Sequence, residues 1–175
     1  MAENVTALRT LARLRSENEL MYSLRRDGAI DVEGEGEQPY RSYKVTVYAE
    51  TYVKPGEDDS PLLSKGPHIF RIEAKSNYPL KDAPIVNFIS TPPAHVNVYA
   101  KGQVCIGRWN PRETLASETV RTLRVLFLDP ATFNFDSAAD HSCKDFCRGY
   151  SGGVPKDFPL PCPVFNDEMN EGQNA

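Results

Sequence analysis

Apolar and polar positions change period along the chain, and each change marks a predicted element. Over residues 3 to 26, Val5, Leu8, Leu11, Ala12, Leu20, Met21 and Leu24 recur at roughly helical spacing, with no Pro or Gly before Gly28. The spacing predicts a helix whose other face carries Arg9, Arg13, Arg15, Arg25 and Arg26. Residues 27 to 40 are acidic and Gly-rich and read as a loop. The period then becomes two. Residues 42 to 53 alternate Tyr43, Val45 and Val47 with Lys44 and Thr46, and residues 68 to 75 and 84 to 90 repeat the pattern. Between the first two runs, Pro55-Gly56 and Gly66-Pro67 bracket a long connection over 54 to 67. Short links and alternation predict an antiparallel meander with one buried face. Helical spacing returns over 115 to 128, with Val120, Leu123, Leu126 and Phe127 inward, a cap at Thr114 or Ser117, and a stop at Asp129-Pro130. A further helix is expected over 136 to 150, with Asp136 or Ser137 at its start.

Beyond Gly152-Gly153 the pattern dissolves into prolines at 155, 159, 161 and 163 and an acidic end. Residues 1 to 150 are therefore expected to form one domain, and 151 to 175 an extended or disordered tail. Phe158, Leu160 and Phe165 are the side chains able to pin that tail onto the domain. A length of 175 residues suits one domain, and 40% hydrophobic with 25% charged residues is ordinary globular composition. The net charge of −4 gives no footprint for nucleic acid or anionic membrane. Acidic residues gather at Glu33 to Glu37 and Asp167 to Glu171, as a solvated loop and tail. The first twenty residues have no apolar core of a signal peptide, and no run reaches the ~20 apolar residues of a membrane span. Cysteines 105, 143, 147 and 162 are too few for a disulfide scaffold, so reduced thiols in a cytoplasmic protein are expected.

The densest chemistry lies in residues 95 to 111, HVNVYAKGQVCIGRWNP. Here a thiol, Cys105, sits on a segment without strand or helix periodicity, between rigid elements, where substrate can reach it. Asn97, eight residues earlier, supplies an amide donor suited to an oxyanion. The pairing suggests acyl transfer through Cys105.

The order of helix, antiparallel strands, cysteine loop and helices, taken with these residues, resembles the ubiquitin-conjugating enzymes. That family has a Tyr-Pro after its third strand, matched by Tyr78-Pro79, and a His-Pro-Asn motif ten and eight residues before the catalytic cysteine, matched by His95 and Asn97. Gly102, Trp109-Asn110-Pro111 and Asp129-Pro130 match its remaining landmarks. Val96 stands where the family has Pro, and Trp109 follows Cys105 by four residues rather than eight. The family's last two helices give way to the Pro-rich tail. These departures make the chain most similar to divergent stand-alone conjugating proteins of bacterial ubiquitin-like systems, which often serve antiphage defence.

The resemblance implies an α+β fold and a Cys105 thioester, accepted from an activating enzyme and discharged to a target lysine. Asn97 would stabilise the oxyanion, His95 would organise the loop, and Asp136 or Ser137 would orient the incoming amine or simply cap a helix. Arg9 and Arg13 would present the first helix to the activating enzyme, against the plainer reading of a solvated face. No cofactor is implied. His141, Cys143 and Cys147 lack the four ligands of a structural zinc site, so no metal is expected either. A cysteine hydrolase would need a histidine base and an orienting carboxylate, and His95 is the single candidate. The competing reading is a non-catalytic module of the same fold that presents a ubiquitin-like protein; such modules lack the cysteine.

Overall fold

The computed structural model describes residues 2–56 and 58–162, with side chains from residue 7 onward. Val5, Phe165, Pro163 and the acidic run 167–171 therefore lie outside the described side chains or residues. The chain begins with helix α1 (Ala2–Tyr22). Its buried positions are Leu14, Glu17 and Met21, followed by Leu24 just past its end, whereas Leu8 is 66% exposed and Ala12 also faces solvent. The predicted apolar stripe is thus corrected. Among the described side chains, those buried on the core lie in the second half of α1, and one of these inward positions is a carboxylate.

Four strands, β1 (Ile30–Glu35), β2 (Ser42–Val47), β5 (His68–Glu73) and β6 (Ile85–Phe88), form an antiparallel sheet in the order β1-β2-β5-β6. Strand β1 corrects the expectation of a loop over 27 to 40. Two inward side chains, Ile30 and Val32, suffice to seat it, with Ile30 opposite Val47 and Val32 opposite Val45. Its acidic outer face is compensated across the sheet, Glu33 by Lys44 and Glu35 by Arg71. Alternation on β2 holds as read, since Tyr43, Val45 and Val47 are fully buried.

The run 42 to 53 is not one strand. It breaks after Val47, and β3 (Thr51–Val53) leaves the main sheet to pair with β4 (Leu62–Ser64), inside the expected connection. The buried Thr51 hydroxyl donates to the Leu126 carbonyl, at 2.7 Å, and this fixes the departure.

Helix α2 (Leu115–Leu126) starts with a capping box. The Thr114 side chain accepts from the Ser117 N–H, and the Ser117 hydroxyl accepts from the Thr114 N–H, both at 2.9 Å. Both residues expected as alternatives act together. Val120, Leu123, Leu126 and Phe127 close on the same core as the sheet and the second half of α1.

The helix expected over 136 to 150 is reduced to α3 (Lys144–Gly149). Residues 134 to 142 are held instead as a turn-rich loop, because the Val96 carbonyl accepts from both the Ala139 and Asp140 N–H groups, at 2.7 and 3.0 Å. Those amides would otherwise belong to the helix. Residues 151 to 162 have no regular element and turn at Pro155, whose carbonyl accepts from the Phe158 N–H at 3.0 Å. Val154, Phe158 and Leu160 pack on the main core, with the Phe158 ring 4.5 Å from that of Phe127. Among the described residues no helix is long and apolar enough to cross a membrane.

Candidate active site

The cysteine loop is attached to the exposed edge of β6. The Phe88 N–H donates to the Gly102 carbonyl and the Val104 N–H to the Val86 carbonyl, each at 2.9 Å. Gly102 is required there. Its φ is +89°, and a Cβ at this position would lie 2.6 Å from the Phe88 carbonyl oxygen. The chain turns back on itself, Val98 bridging Val104, and the Cys105 N–H donates to the Asn97 carbonyl at 2.7 Å. The spacing of eight residues between Asn97 and Cys105 thus resolves into a direct backbone bond.

His95, Asn97 and Thr132 lock the other side of this loop. His95 is fully buried, and its Nδ1 accepts from the Asn97 N–H at 3.0 Å. The proton is therefore on Nε2, which donates to the Thr132 hydroxyl at 2.8 Å, and that hydroxyl donates onward to the Asp129 carbonyl at 2.6 Å. Burial pushes the His95 imidazole down to about 3, so it stays neutral. Both ring nitrogens are committed, which removes His95 as a general base and with it the hydrolase reading. Its two ring nitrogens tie the Asn97 segment to Thr132.

The Asn97 side chain also spans the two segments. Its Nδ2 donates to the Thr132 carbonyl at 2.8 Å, and its Oδ1 accepts from the Asn134 N–H at 3.2 Å. These two bonds use one of the two Nδ2 hydrogens and leave the other uncommitted among the described residues. Trp109 lies against the core beneath the loop, its indole N–H donating to the Pro79 carbonyl at 2.9 Å and its ring 5.7 Å from that of Tyr78.

Cys105 is half-buried and opens into a cleft of about 400 Å³. Asn97, Thr132, Asn134 and Ser137 line it together with Arg121 and Arg124 of α2. Ser137 lines the same cleft as the thiol, while Asp136 stands on the exposed turn beside it, outside the lining. Neither begins a helix. The other thiols differ in kind: burial pushes Cys143 up to about 12 and Cys147 up to about 11. They face Ala94 and Val96 in a small separate cluster, and His141 is exposed. Cys162 is exposed.

Several residues of the site carry no sequence signal. Thr132 and Asn134 follow the Asp-Pro stop as ordinary loop residues, and Arg121 and Arg124 read as solvated helix positions. Arg121 Nη1 donates to the Ile106 carbonyl at 2.6 Å, next to the thiol, and pairs at 3.6 Å with Glu118. Glu118 is only 2% exposed, and burial pushes its carboxyl up to about 7 against the opposing pull of Arg121. A charged residue on the inward face of α2, aligned with Leu115 and Thr122, was the one available hint.

Arg9 is exposed, as a docking residue requires. Arg13 is not free in that way. Its Nε donates to Glu17 at 2.7 Å and its Nη2 to the Glu113 carbonyl.

No family model matches the chain. Over 70 residues it is 38% identical to a protein named "Probable ubiquitin-conjugating enzyme E2 W" from Dictyostelium discoideum, covering 37% of this chain and 46% of that one. Over 74 residues it is 32% identical to "Ubiquitin-conjugating enzyme 15" of Arabidopsis thaliana, covering 40% and 45%. The chain thus spans about half the length of the curated relatives it matches. In three dimensions it is similar to S. cerevisiae Ubc12, with a TM-score of 0.51 and 22% identity over 79% of this chain and 71% of that one. The fold is the α+β fold of the ubiquitin-conjugating enzymes, with N-terminal helix, four-stranded antiparallel sheet and C-terminal helices.

Proposed function

We propose that the protein is a conjugating enzyme for a ubiquitin-like modifier, carrying it as a thioester on Cys105 and passing it to a target amine. The observation that carries this reading is the half-exposed Cys105 in a polar cleft, on a loop bonded to β6 through Gly102 and Val104 and to Asn97 through its own N–H. Attack by the Cys105 thiolate on an activating enzyme's thioester would form the new thioester and release the partner's thiol. Attack by a lysine amine would then form the amide and free Cys105. The remaining Asn97 N–H is the oxyanion donor, and Ser137 or Asp136 guides the amine. The non-catalytic alternative has no use for a thiol opening into such a cleft. The finer assignment, to stand-alone conjugating proteins of bacterial systems, rests on Val96, the short Cys105 to Trp109 spacing and the Pro-rich stretch in place of the last two helices. The cytoplasmic setting rests on the few reduced thiols.

Charging with ATP, a cognate activating enzyme and its modifier tests the proposal. A band that reducing agent removes is expected for the wild type and for Cys143→Ala, Cys147→Ala and Cys162→Ala. It should be missing for Cys105→Ala. Charging that survives Cys105→Ala sinks the assignment.

A further inference from the structure

The Cys105 cleft is more positive than a bare acyl carrier requires. Arg121 and Arg124 stand one turn apart on its α2 wall, and the rest of its polar lining, Asn97, Thr132, Asn134 and Ser137, is uncharged. No carboxylate lines it among the described residues. The two arginine side chains remain 42% and 46% exposed. Their counter-charges, Glu118 and Asp129, are not among the lining residues. Glu118, behind Arg121, is buried and held toward its neutral form, and Asp129, 3.2 Å from Arg124, uses its other oxygen to accept from the Ala131 N–H. Asp136 is on the exposed turn outside the lining.

An acyl chain on Cys105 starts at the sulfur and must run out through this cleft, at about 3.4 Å per extended residue. Its last few residues therefore pass α2. Resting on the acyl-carrier reading, we propose that the cleft selects donors with acidic side chains just before the thioester carbonyl, paired by Arg121 and Arg124. A basic tail there would set like charges together in a partly desolvated site, which is how a charged surface rejects a wrong partner.

Synthetic peptide ethyl thioesters test this on the full chain without any activating enzyme. The Cys105 thiolate attacks the thioester carbonyl, ethanethiolate leaves and takes a proton from water, and no oxidant or reductant is involved. Two ten-residue peptides ending in Gly-Gly, one with four Asp before the glycines and one with four Arg, are compared by mass mapping of acylated Cys105. At low salt the Asp peptide should load about tenfold faster or more, and 0.5 M salt should shrink the gap. Arg121→Gln with Arg124→Gln should erase the preference. Arg124→Gln alone, which spares the Ile106 carbonyl, should reduce it in a protein with an unchanged melt. Equal rates for the two wild-type reactions overturn the inference alone, as does a preference that persists in the folded double variant. No adduct on Cys105 with either peptide overturns it together with the acyl-carrier reading.

Discussion

Glu118 occupies an inward position of α2, and its Oε1 has no hydrogen-bond partner among the described residues. Its carboxyl ionises near 7 in the folded chain against 4.5 ordinarily, so the native state holds a proton that the unfolded chain has lost. Stability from this group is intact below about pH 4.5 and drains away as pH rises to 7. His95 works in the opposite sense. It ionises near 3 when folded against 6.5 ordinarily, so acidification below 6.5 protonates the unfolded chain first, costing about 2 kcal/mol by pH 5. The two trends offset each other between pH 5 and 6.5. Glu118→Gln should unmask the histidine: denaturant stability of the variant should climb from pH 4.5 to 6.5. Its advantage over wild type should widen by on the order of 2 kcal/mol between pH 5 and 8. A constant gap between the two proteins would place Glu118 in contact with water.

Asn97 serves the loop with both ends of its amide, so Asn97→Ala should cost roughly 1–3 kcal/mol for the two lost bonds. If its spare N–H also meets the oxyanion, single-turnover discharge to lysine should slow by about 10²-fold while loading changes far less. Matched losses of loading, discharge and melting temperature would make it a brace alone. Iodoacetamide distinguishes the four thiols. Cys105 and Cys162 should alkylate in the native protein at pH 8, and Cys143 and Cys147 only after unfolding, because burial disfavours their thiolates. At this scale His95, Asn97, Gly102 and Cys105 were legible because a tight loop fixes their spacing. Thr132, Asn134 and Arg121 were not, because the contacts that bring them in join segments distant in sequence.

Among the elements, α1 depends on one carboxylate. Glu17 is fully buried and accepts from Arg13 at 2.7 Å, from the Tyr78 hydroxyl at 2.5 Å and from the Leu115 N–H at 2.8 Å. It therefore joins α1 to the Tyr78-Pro79 turn and to the first turn of α2, where the helix dipole favours an anion. Glu17→Ala should cost about 3 kcal/mol in a denaturant melt, since it strands the Tyr78 hydroxyl and the Leu115 N–H. This changes how docking is tested. Arg13→Glu would place two carboxylates together and disturb the fold, whereas Arg9→Glu leaves the melt untouched. The expected result for Arg9→Glu is slower transthiolation at low salt that recovers at high salt. Unchanged charging would return Arg9 to a solvated face. Periodicity found α1, α2 and the inward face of β2, where several apolar residues keep register. It missed β1, which needs only Ile30 and Val32, and overran into 136 to 143, whose backbone is claimed by the Val96 carbonyl.

For the whole molecule, the order of elements was readable because each strand of the main sheet pairs with its sequence neighbour or with the next strand after the β3–β4 excursion. Past residue 150 the prolines hide any period, and only isolated apolar side chains such as Phe158 and Leu160 pointed to packing on the domain. Both of these side chains pack against the main core. The loop bonds hold the Cys105 thiol in a cleft that Arg121 and Arg124 also line, and the most direct measurement of the proposed role follows that thiol. The protein is charged with its modifier, digested under acid, and mapped by mass spectrometry before and after a chase with free lysine. The modifier's mass should appear on the peptide holding Cys105, then leave it and reappear as a lysine amide. An adduct on any other residue, or one on Cys105 that lysine never discharges, would contradict an acyl-transfer role.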